Sequence, residues 1–252
     1  MPEGPTIRNT ADALREALAG QRVECFHSPL KKAASEGWAE KIAGRRVLTV
    51  RSHGKNLFVE FDSGWVLYTH MLMWGSWHVY APGETWAKEE RKARVVLQTA
   101  EAVAVLFSAP VCELVSREQL AAHRTSELGP DLLDEDFDMD EAARRFFDPL
   151  QSDRQIGDLV MDQTVLAGIG NILKSEILFQ ACINPLRSAK SLAPEEWTRL
   201  IATSQELMQR AYSTQSFARR PGAGPMSTAA ARSPACAAAR RSRWCGRGYA
   251  SA

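Results

Sequence analysis

Apolar residues recur at helical spacing near the start of the chain. They follow Pro5, a residue that suits the first turn of a helix, and they stop before Gly20. This pattern predicts one amphipathic helix close to the amino terminus. Its apolar positions are Ile7, Ala11, Leu14 and Leu18.

The spacing then changes to the short apolar runs of β-strands between residues 45 and 107. Turn signals at Asp62-Ser63-Gly64 and at Ala100-Glu101 separate neighbouring runs and predict hairpins. One leading helix followed by such strands favours a β-sandwich or barrel. The predicted strands are Val47–Val50, Asn56–Phe61, Trp65–Tyr68, Arg94–Gln98 and Val103–Phe107.

Helical periodicity returns after Gly129-Pro130. We therefore predict an α+β protein with a β-sandwich domain over residues 1–130, which carries the leading helix, and a helical domain over residues 131–217. The predicted helices of the second domain are Asp140–Phe147, Ile156–Gln163, Ile172–Cys182 and Pro194–Tyr212.

Residues 218–252 have a different composition. Of these 35 residues, 29 are Ala, Arg, Gly, Pro or Ser, and none is Leu, Ile, Val, Phe, Lys, Asp or Glu. Such a segment has almost nothing to bury, so we expect a disordered tail. The abrupt change near residue 215 is typical of a GC-rich reading frame translated out of register.

Charge and cysteine content narrow the class of protein. The net charge of +1 over 252 residues hides seven arginines in residues 218–252, and the remainder holds 24 basic and 30 acidic residues. An acidic body lacks the usual basic face of a nucleic-acid binder, so such binding would need a local positive cluster.

No apolar run is long enough to span a membrane, and no signal peptide is seen. Five scattered cysteines favour a reducing cytoplasm.

The first candidate for chemistry is Pro2. Removal of Met1 would leave a secondary amine, and an α-amino group is partly neutral and nucleophilic near neutral pH. Such an amine can condense with an aldehyde carbon to form an iminium ion. Glu3, one residue away, could donate or accept a proton.

The second candidate is the segment from Asp162 to Ile172. Gly168 and Gly170 precede a predicted helix that begins at Asn171. Glycines there permit tight turns and leave backbone N–H groups that can point at an anion. The side chain of Asn171 could add a further donor to the same phosphate.

In combination, these motifs resemble the formamidopyrimidine-DNA glycosylase/endonuclease VIII family. The Pro-Glu-Gly-Pro start is similar to the endonuclease VIII branch, and Asp162–Leu178 resembles the helix–two-turn–helix motif. Ser52-His53-Gly54-Lys55-Asn56-Leu57 resembles the family's lysine turn, and His70–Gly75 resembles its intercalation loop. The resemblance extends from about residue 2 to about residue 214.

The resemblance implies roles for individual residues. Pro2 would attack C1′ of a damaged nucleoside and form a Schiff base, and Glu3 would protonate the sugar or the leaving base and assist strand elimination. Lys55 would bind the phosphate beside the lesion, and Asn171 a second phosphate, at the turn that holds Gly168 and Gly170. Because the target base must leave the stack, an apolar wedge would fill the gap. The wedge residues would be Leu72, Met73 and Trp74.

The sequence departs from the family pattern at two places. Thr6 stands where many members have a second glutamate. The family usually ends in a four-cysteine zinc finger. Here the last segment contains only Cys236 and Cys245, which are separated by eight residues and form no CxxC pair. Tetrahedral zinc cannot be built from them, so we expect no metal or other cofactor.

These observations and the resemblance predict a bifunctional DNA glycosylase and AP lyase that acts on oxidised bases in damaged double-stranded DNA. The endonuclease VIII branch implies oxidised pyrimidines, and the formamidopyrimidine branch, which implies 8-oxoguanine, is the alternative. We expect a cytoplasmic, nucleoid-associated monomer whose activity is impaired by the altered end of the chain. One alternative is a damaged-DNA-binding protein without useful catalysis. Another is an enzyme that uses an N-terminal proline as a general base on small acids, although this leaves the turn at residues 168–171 without a purpose.

Overall fold

The computed structural model describes residues 2–214, so the disordered tail expected over residues 218–252 falls outside the described range. The described residues form two compact units. One contains the residues up to Ala11, Arg51–Leu57 and residues 117–214. The other contains Asp12–Val50 and Phe58–Ser116. The boundaries between the units fall inside three elements, which are the helix α1 (Gly4–Leu18) and the strands Val47–His53 and Asn56–Phe61.

The strands form two four-stranded sheets, as predicted for the β-sandwich. One sheet has the order β1-β6-β7-β5 and the other the order β2-β3-β4-β8. In the first sheet the predicted hairpin is confirmed, because Gln98 pairs with Val103 across Ala100-Glu101. The strands are β1 (Cys25–His27), β2 (Val47–His53), β3 (Asn56–Phe61), β4 (Trp65–His70), β5 (Ser76–Tyr80), β6 (Ala93–Gln98), β7 (Val103–Phe107) and β8 (Val111–Ser116).

Five predicted strands and the leading helix are confirmed, and several short elements were missed. The three residues of β1 are half-buried, and β5 and β8 each bury only two residues, so none of these strands forms a long apolar run. Two helices of five residues lie between β1 and β2, which corrects the expectation of a single leading helix. They are α2 (Lys31–Ser35) and α3 (Trp38–Ile42).

Packing of the sheets explains why the strand predictions succeeded where they did. All five residues of β7 are buried, and β3 is buried at every position except Glu60. Strands buried on both faces read as continuous apolar runs. Trp86 packs against Phe107 and Tyr80 in a small cluster on the sheet with the order β1-β6-β7-β5.

The helical unit buries its own core, as the sequence predicted. Phe146 and Trp197 pack at its centre with ring centroids 4.9 Å apart. The four predicted helices are confirmed with small changes of their ends, and α4 was not predicted. The helices are α4 (Arg117–Ala121), α5 (Met139–Phe146), α6 (Ile156–Met161), α7 (Asn171–Gln180) and α8 (Pro194–Thr214).

The chain between α6 and α7 leaves the helix earlier than its apolar pattern predicts. The carboxylate of Asp162 accepts hydrogen bonds from the backbone N–H and the hydroxyl of Thr164, which begins a turn instead of a further helical step. Within residues 2–214, none of the helices is both long and apolar enough to cross a membrane.

Candidate active site

The residues around Pro2 are held by a close approach of two backbones. The N–H of Gly4 donates to the carbonyl of Gly168 over 2.8 Å. A Cβ atom on Gly4 would lie 2.9 Å from Cα of Gly168, and Gly168 itself has a φ of 102°. Both positions therefore need glycine, one for space and the other for its backbone angle. The contact places half-buried Pro2 beside the turn before α7.

The carboxylate of Glu3 lies at the amino terminus of α7. Its Oε1 accepts the backbone N–H of Ile172 at 2.9 Å, and its Oε2 accepts that of Leu173 at 3.1 Å. The first N–H groups of a helix have no partner within the helix, and the dipole favours a negative charge there. Glu3, only 7% exposed, therefore supplies the cap of α7 from the other end of the chain.

Gly170 makes this arrangement possible. A Cβ atom at this position would lie 2.3 Å from Oε1 of Glu3 and 2.4 Å from its Cδ. The sequence analysis assigned Gly170 to phosphate binding through its backbone. The structure adds a second requirement, because any side chain here would displace the carboxylate of Glu3.

Lys55 lies in the tight turn between β2 and β3, as the sequence predicted. Its side chain is 9% exposed. Burial lowers the pKa of Lys55 below its usual value, while the nearby carboxylate of Glu3 acts to raise it. A buried ammonium is stabilised by an anion, so a phosphate oxygen is a suitable partner for this side chain.

Asp131 joins the segments that carry Lys55 and Pro2, and the sequence analysis did not identify it. This carboxylate is 2% exposed. It accepts the N–H of Gly54 at 2.8 Å and that of Leu133 at 3.0 Å, and Arg8 of α1 lies 3.5 Å away. The available signal was a carboxylate directly after Gly129-Pro130, where a turn meets the apolar pattern of the helical unit.

Gln163 holds the turn that precedes α7. Its side-chain carbonyl accepts the N–H of Gly168 at 3.1 Å, and its amide donates to the carbonyl of Ile169 at 3.0 Å. These bonds keep the backbone of residues 168–170 in one conformation in front of Asn171. The residue was part of the recognised motif, but the sequence did not reveal this role.

Asn171, the first residue of α7, presents its side chain to solvent. Its Oδ1 accepts a hydrogen bond from the ammonium of Lys174 at 2.8 Å. The amide oxygen is thereby engaged, which orients the NH2 group away from Lys174. Within residues 2–214, that NH2 group has no acceptor, so it is available to a phosphate.

The predicted wedge residues lie in the other compact unit, on the loop between β4 and β5. Leu72, Met73 and Trp74 are all exposed, and Trp74 reaches 74% exposure. Leu72 has a φ of 45°, which is unusual for a residue with a side chain. The side chain of Trp74 is therefore not part of a hydrophobic core.

The residues available for a metal do not fit the zinc site implied by the family resemblance. Cys236 and Cys245 lie outside the described range, and two thiolates cannot fill four tetrahedral positions. Burial raises the pKa of Cys112 to about 12, which disfavours a thiolate ligand. Among the described residues, His53, Asp131 and Asp134 lie close together, but the guanidinium of Arg8 already pairs with both carboxylates.

Comparisons with known proteins define the class to which this fold and site belong. The model of the formamidopyrimidine-DNA glycosylase N-terminal domain matches residues 1–110, and that of the formamidopyrimidine-DNA glycosylase H2TH domain matches residues 128–219. Endonuclease 8 of Enterobacter sp. (strain 638) is 34% identical over 218 residues, which cover 85% of this chain and 81% of the relative. Endonuclease 8 of Escherichia coli O17:K52:H18 gives the same figures.

Solved structures agree on the fold. Wild-type Lactococcus lactis Fpg (MutM) in complex with a DNA containing N7-benzyl-Fapy-dG superimposes with a TM-score of 0.73 at 21% identity, over 84% of this chain and 79% of that chain. The chain is thus an enzyme of the DNA repair glycosylase class. It belongs to the formamidopyrimidine-DNA glycosylase/endonuclease VIII family, as its motifs predicted.

Proposed function

We propose that this protein excises oxidised bases, pyrimidines in particular, from damaged double-stranded DNA and then cleaves the strand by β,δ-elimination. The observation that carries the proposal is the placement of Glu3. Its carboxylate is fixed by the amino terminus of α7, one residue from Pro2 and electrostatically coupled to Lys55. A nucleophile, a proton carrier and a cation are therefore assembled in one compact unit.

The chemistry begins at the amine of Pro2, after removal of Met1. The nitrogen lone pair attacks C1′ as the bond from C1′ to the base breaks, and the proton released by the Pro2 nitrogen neutralises the departing base. Glu3 takes up a proton from solvent and delivers it to the ring oxygen as the bond from C1′ to that oxygen breaks, and the nitrogen lone pair completes a positively charged Schiff base between Pro2 and C1′. Each oxygen of Glu3 accepts one backbone N–H and retains a lone pair for this proton transfer.

Elimination follows from the same intermediate. The positively charged Schiff base lowers the pKa of the C–H group at C2′. A general base removes this proton, and the C3′–O bond breaks with the phosphate as leaving group. In the second elimination a proton is lost from C4′, which is conjugated with the Schiff base, and the C5′–O bond breaks with the other phosphate as leaving group. Water then hydrolyses the Schiff base and releases the amine of Pro2.

The proposed DNA contacts fall into two groups. Lys55 and the NH2 group of Asn171 would bind phosphates beside the flipped nucleotide, since both side chains have a donor suited to a phosphate oxygen. The exposed Leu72, Met73 and Trp74 would fill the space left by the extruded base. Complexes of the Lactococcus lactis Fpg contain DNA with N7-benzyl-Fapy-dG or an abasic site, which supports damaged DNA as the partner of this chain.

Preference for oxidised pyrimidines is proposed from relatedness. The relatives at 33–34% identity are named Endonuclease 8, and the Pro-Glu-Gly-Pro start and the Met71–Trp74 loop are similar to that branch. Relative excision rates on duplexes that contain 5-hydroxyuracil or 8-oxoguanine test this preference. A faster rate on 8-oxoguanine would overturn it.

Trapping with borohydride tests the chemistry itself. Reduction of the Schiff base converts it to a stable amine, so the active protein becomes covalently attached to abasic-site DNA. Pro2→Gly should lose most base excision, and a protein whose N-terminal amine is blocked by acetylation should give no adduct. An adduct from the blocked protein would assign the nucleophile to a lysine.

The altered end of the chain favours reduced rather than absent activity. Without a metal-stapled hairpin, DNA would be held only by the two described units, so affinity for duplex DNA should be low. A wild-type protein that binds abasic-site DNA but yields no trapped adduct would instead support the damaged-DNA-binding alternative.

A further inference from the structure

The turn that carries Lys55 is anchored on one side by backbone packing. Gly54 has a φ of 56°, and a Cβ atom there would lie 3.0 Å from both Cβ of Ala167 and the backbone N of Gly168. Its own N–H donates to the buried carboxylate of Asp131. The turn therefore lies directly against the segment that precedes α7.

His53 supplies a second anchor from the end of β2. Its Nε2 lies 2.9 Å from the carbonyl oxygen of Gly129. Because a carbonyl can only accept, Nε2 must carry the hydrogen of this bond. The other ring nitrogen, Nδ1, lies 3.9 Å from a carboxylate oxygen of Asp134, which also pairs with Arg8.

The surroundings of His53 argue against a direct contact with DNA. The ring lines a cavity of about 250 Å³ in which acidic groups outnumber the cation Arg145, which pairs with Glu141; the other carboxylates of the wall include Asp134, Asp136 and Asp138. Carboxylates repel a phosphate group, so the nucleic-acid backbone would not enter this cavity. An effect of His53 on DNA binding would therefore have to act through the turn.

We propose that His53 is a positioning residue, which holds the 53–55 turn against Gly129 so that Lys55 faces the phosphate beside the lesion. The inference rests on the proposed function of Lys55. Two bonds, one from the side chain of His53 and one from the N–H of Gly54, fix consecutive residues to the 129–131 segment. Lys55 is the next residue, and a buried lysine in a loosened turn moves its ammonium into water.

A pair of amide substitutions separates the hydrogen bond from side-chain charge and polarity. The amide nitrogen of glutamine can occupy the place of Nε2, whereas that of asparagine reaches only the place of Nδ1. We expect His53→Gln to preserve the turn and His53→Asn to release it. Both replacements are neutral, so the charge of an imidazolium cannot account for a difference between them.

The readout is equilibrium binding to a duplex with a tetrahydrofuran abasic analogue, measured over a series of salt concentrations. The logarithm of the binding constant falls linearly with the logarithm of the salt concentration, and loss of one phosphate contact by a cation lowers the magnitude of this slope by about 0.9. We expect His53→Asn to show the slope of Lys55→Ala, and His53→Gln to show that of the wild type. Equal slopes for the Gln and Asn variants would overturn the proposal, and thermal melting confirms that each variant is folded.

A double variant decides whether His53 acts through Lys55. In the Lys55→Ala background, His53→Asn should cause no further loss of affinity. An additive loss would show that His53 acts independently and would overturn the proposal, as would a wild-type slope equal to that of Lys55→Ala. Failure of wild-type borohydride trapping, with the slopes as expected, would overturn the Pro2 chemistry and leave the role of His53 standing.

Discussion

Gly170 and Glu3 are matched to each other although 167 positions of sequence separate them: a Cβ atom on Gly170 would lie 2.3 Å from Oε1 of Glu3. Any side chain at residue 170 would therefore displace the carboxylate of Glu3. The absence of that side chain lets Glu3 cap α7, and the cap in turn fixes the carboxylate next to Pro2. The proposed catalytic role of Glu3 and the stability of α7 therefore depend on the same contact.

Gly170→Ala should consequently impair base excision more than DNA binding. Displacement of Glu3 removes a proton carrier, and such a group contributes roughly 100- to 10,000-fold to a rate. Single-turnover excision rates and affinity for an abasic analogue measure the two effects separately. Gly64→Ala is the control, since nothing lies within 4 Å of a Cβ atom there and its φ of 80° imposes backbone strain alone. Equal rates for both variants would contradict the prediction.

Glu3→Ala should destabilise the protein as well as inactivate it. The substitution leaves the N–H groups of Ile172 and Leu173 without their acceptors, which costs about 1–2 kcal/mol by analogy with lost helix caps. Glu3→Gln retains one acceptor oxygen and should recover part of the stability, but not the activity. Urea denaturation measures the stability, and an unchanged midpoint for Glu3→Ala would show that the cap is replaced by solvent.

Asp131→Asn should loosen the turn that holds Lys55. The carboxylate accepts one N–H on each oxygen, whereas an amide has only one oxygen to accept with. One of the N–H groups of Gly54 and Leu133 would then face a donor in a buried site, at a cost of about 1–3 kcal/mol. Hydrogen exchange at these two amides tests the effect locally. Full protection at both would rule out the proposed dependence on the charge and oxygen count of Asp131.

The contribution of Lys55 to DNA binding should disappear at lower pH than that of an exposed lysine. Its ammonium exists below its pKa, and burial moves that pKa down from the ordinary value of about 10.4. As the pH rises through the lowered pKa, the charge and the phosphate contact are lost. The ratio of the Kd of Lys55→Ala to that of the wild type should therefore approach one during alkaline titration. Lys55→Arg is the control, because arginine stays charged throughout. A ratio that stays constant and well above one up to pH 10 would argue against a lowered pKa of Lys55, and a ratio of one at every pH would argue against the contact.

Purified protein should contain less than stoichiometric zinc, and its affinity for duplex DNA should rise when a metal site is supplied. Only two cysteines follow residue 214, whereas a closed structural site needs four protein donors. Metal analysis tests the first point, and about one zinc per chain would contradict it. A four-cysteine hairpin grafted after Thr214 tests the second, with a version carrying serine for cysteine as its control. No gain in affinity would place the defect in the described units themselves.

The sequence by itself determined the elements whose pattern is local. The helix over Gly4–Leu18, strands such as Val103–Phe107 and the helices of the second half are each set by the spacing of apolar residues along one segment. Short elements escaped because three to six residues of mixed polarity, as in Cys25–His27, carry too little periodicity. The motifs around Pro2, Lys55 and Asn171 were recognisable for the same reason, since each is contiguous in the chain.

Only the tertiary structure decided how these motifs depend on one another. The cap of α7 by Glu3 and the hydrogen bond from Gly54 to Asp131 join residues that are far apart in sequence. Such contacts leave no periodic signal, because a hydrogen bond depends on where two segments meet and not on the residues beside each partner. The sequence identified the groups proposed to carry the chemistry, and the packing of distant segments determined which atoms hold them in place.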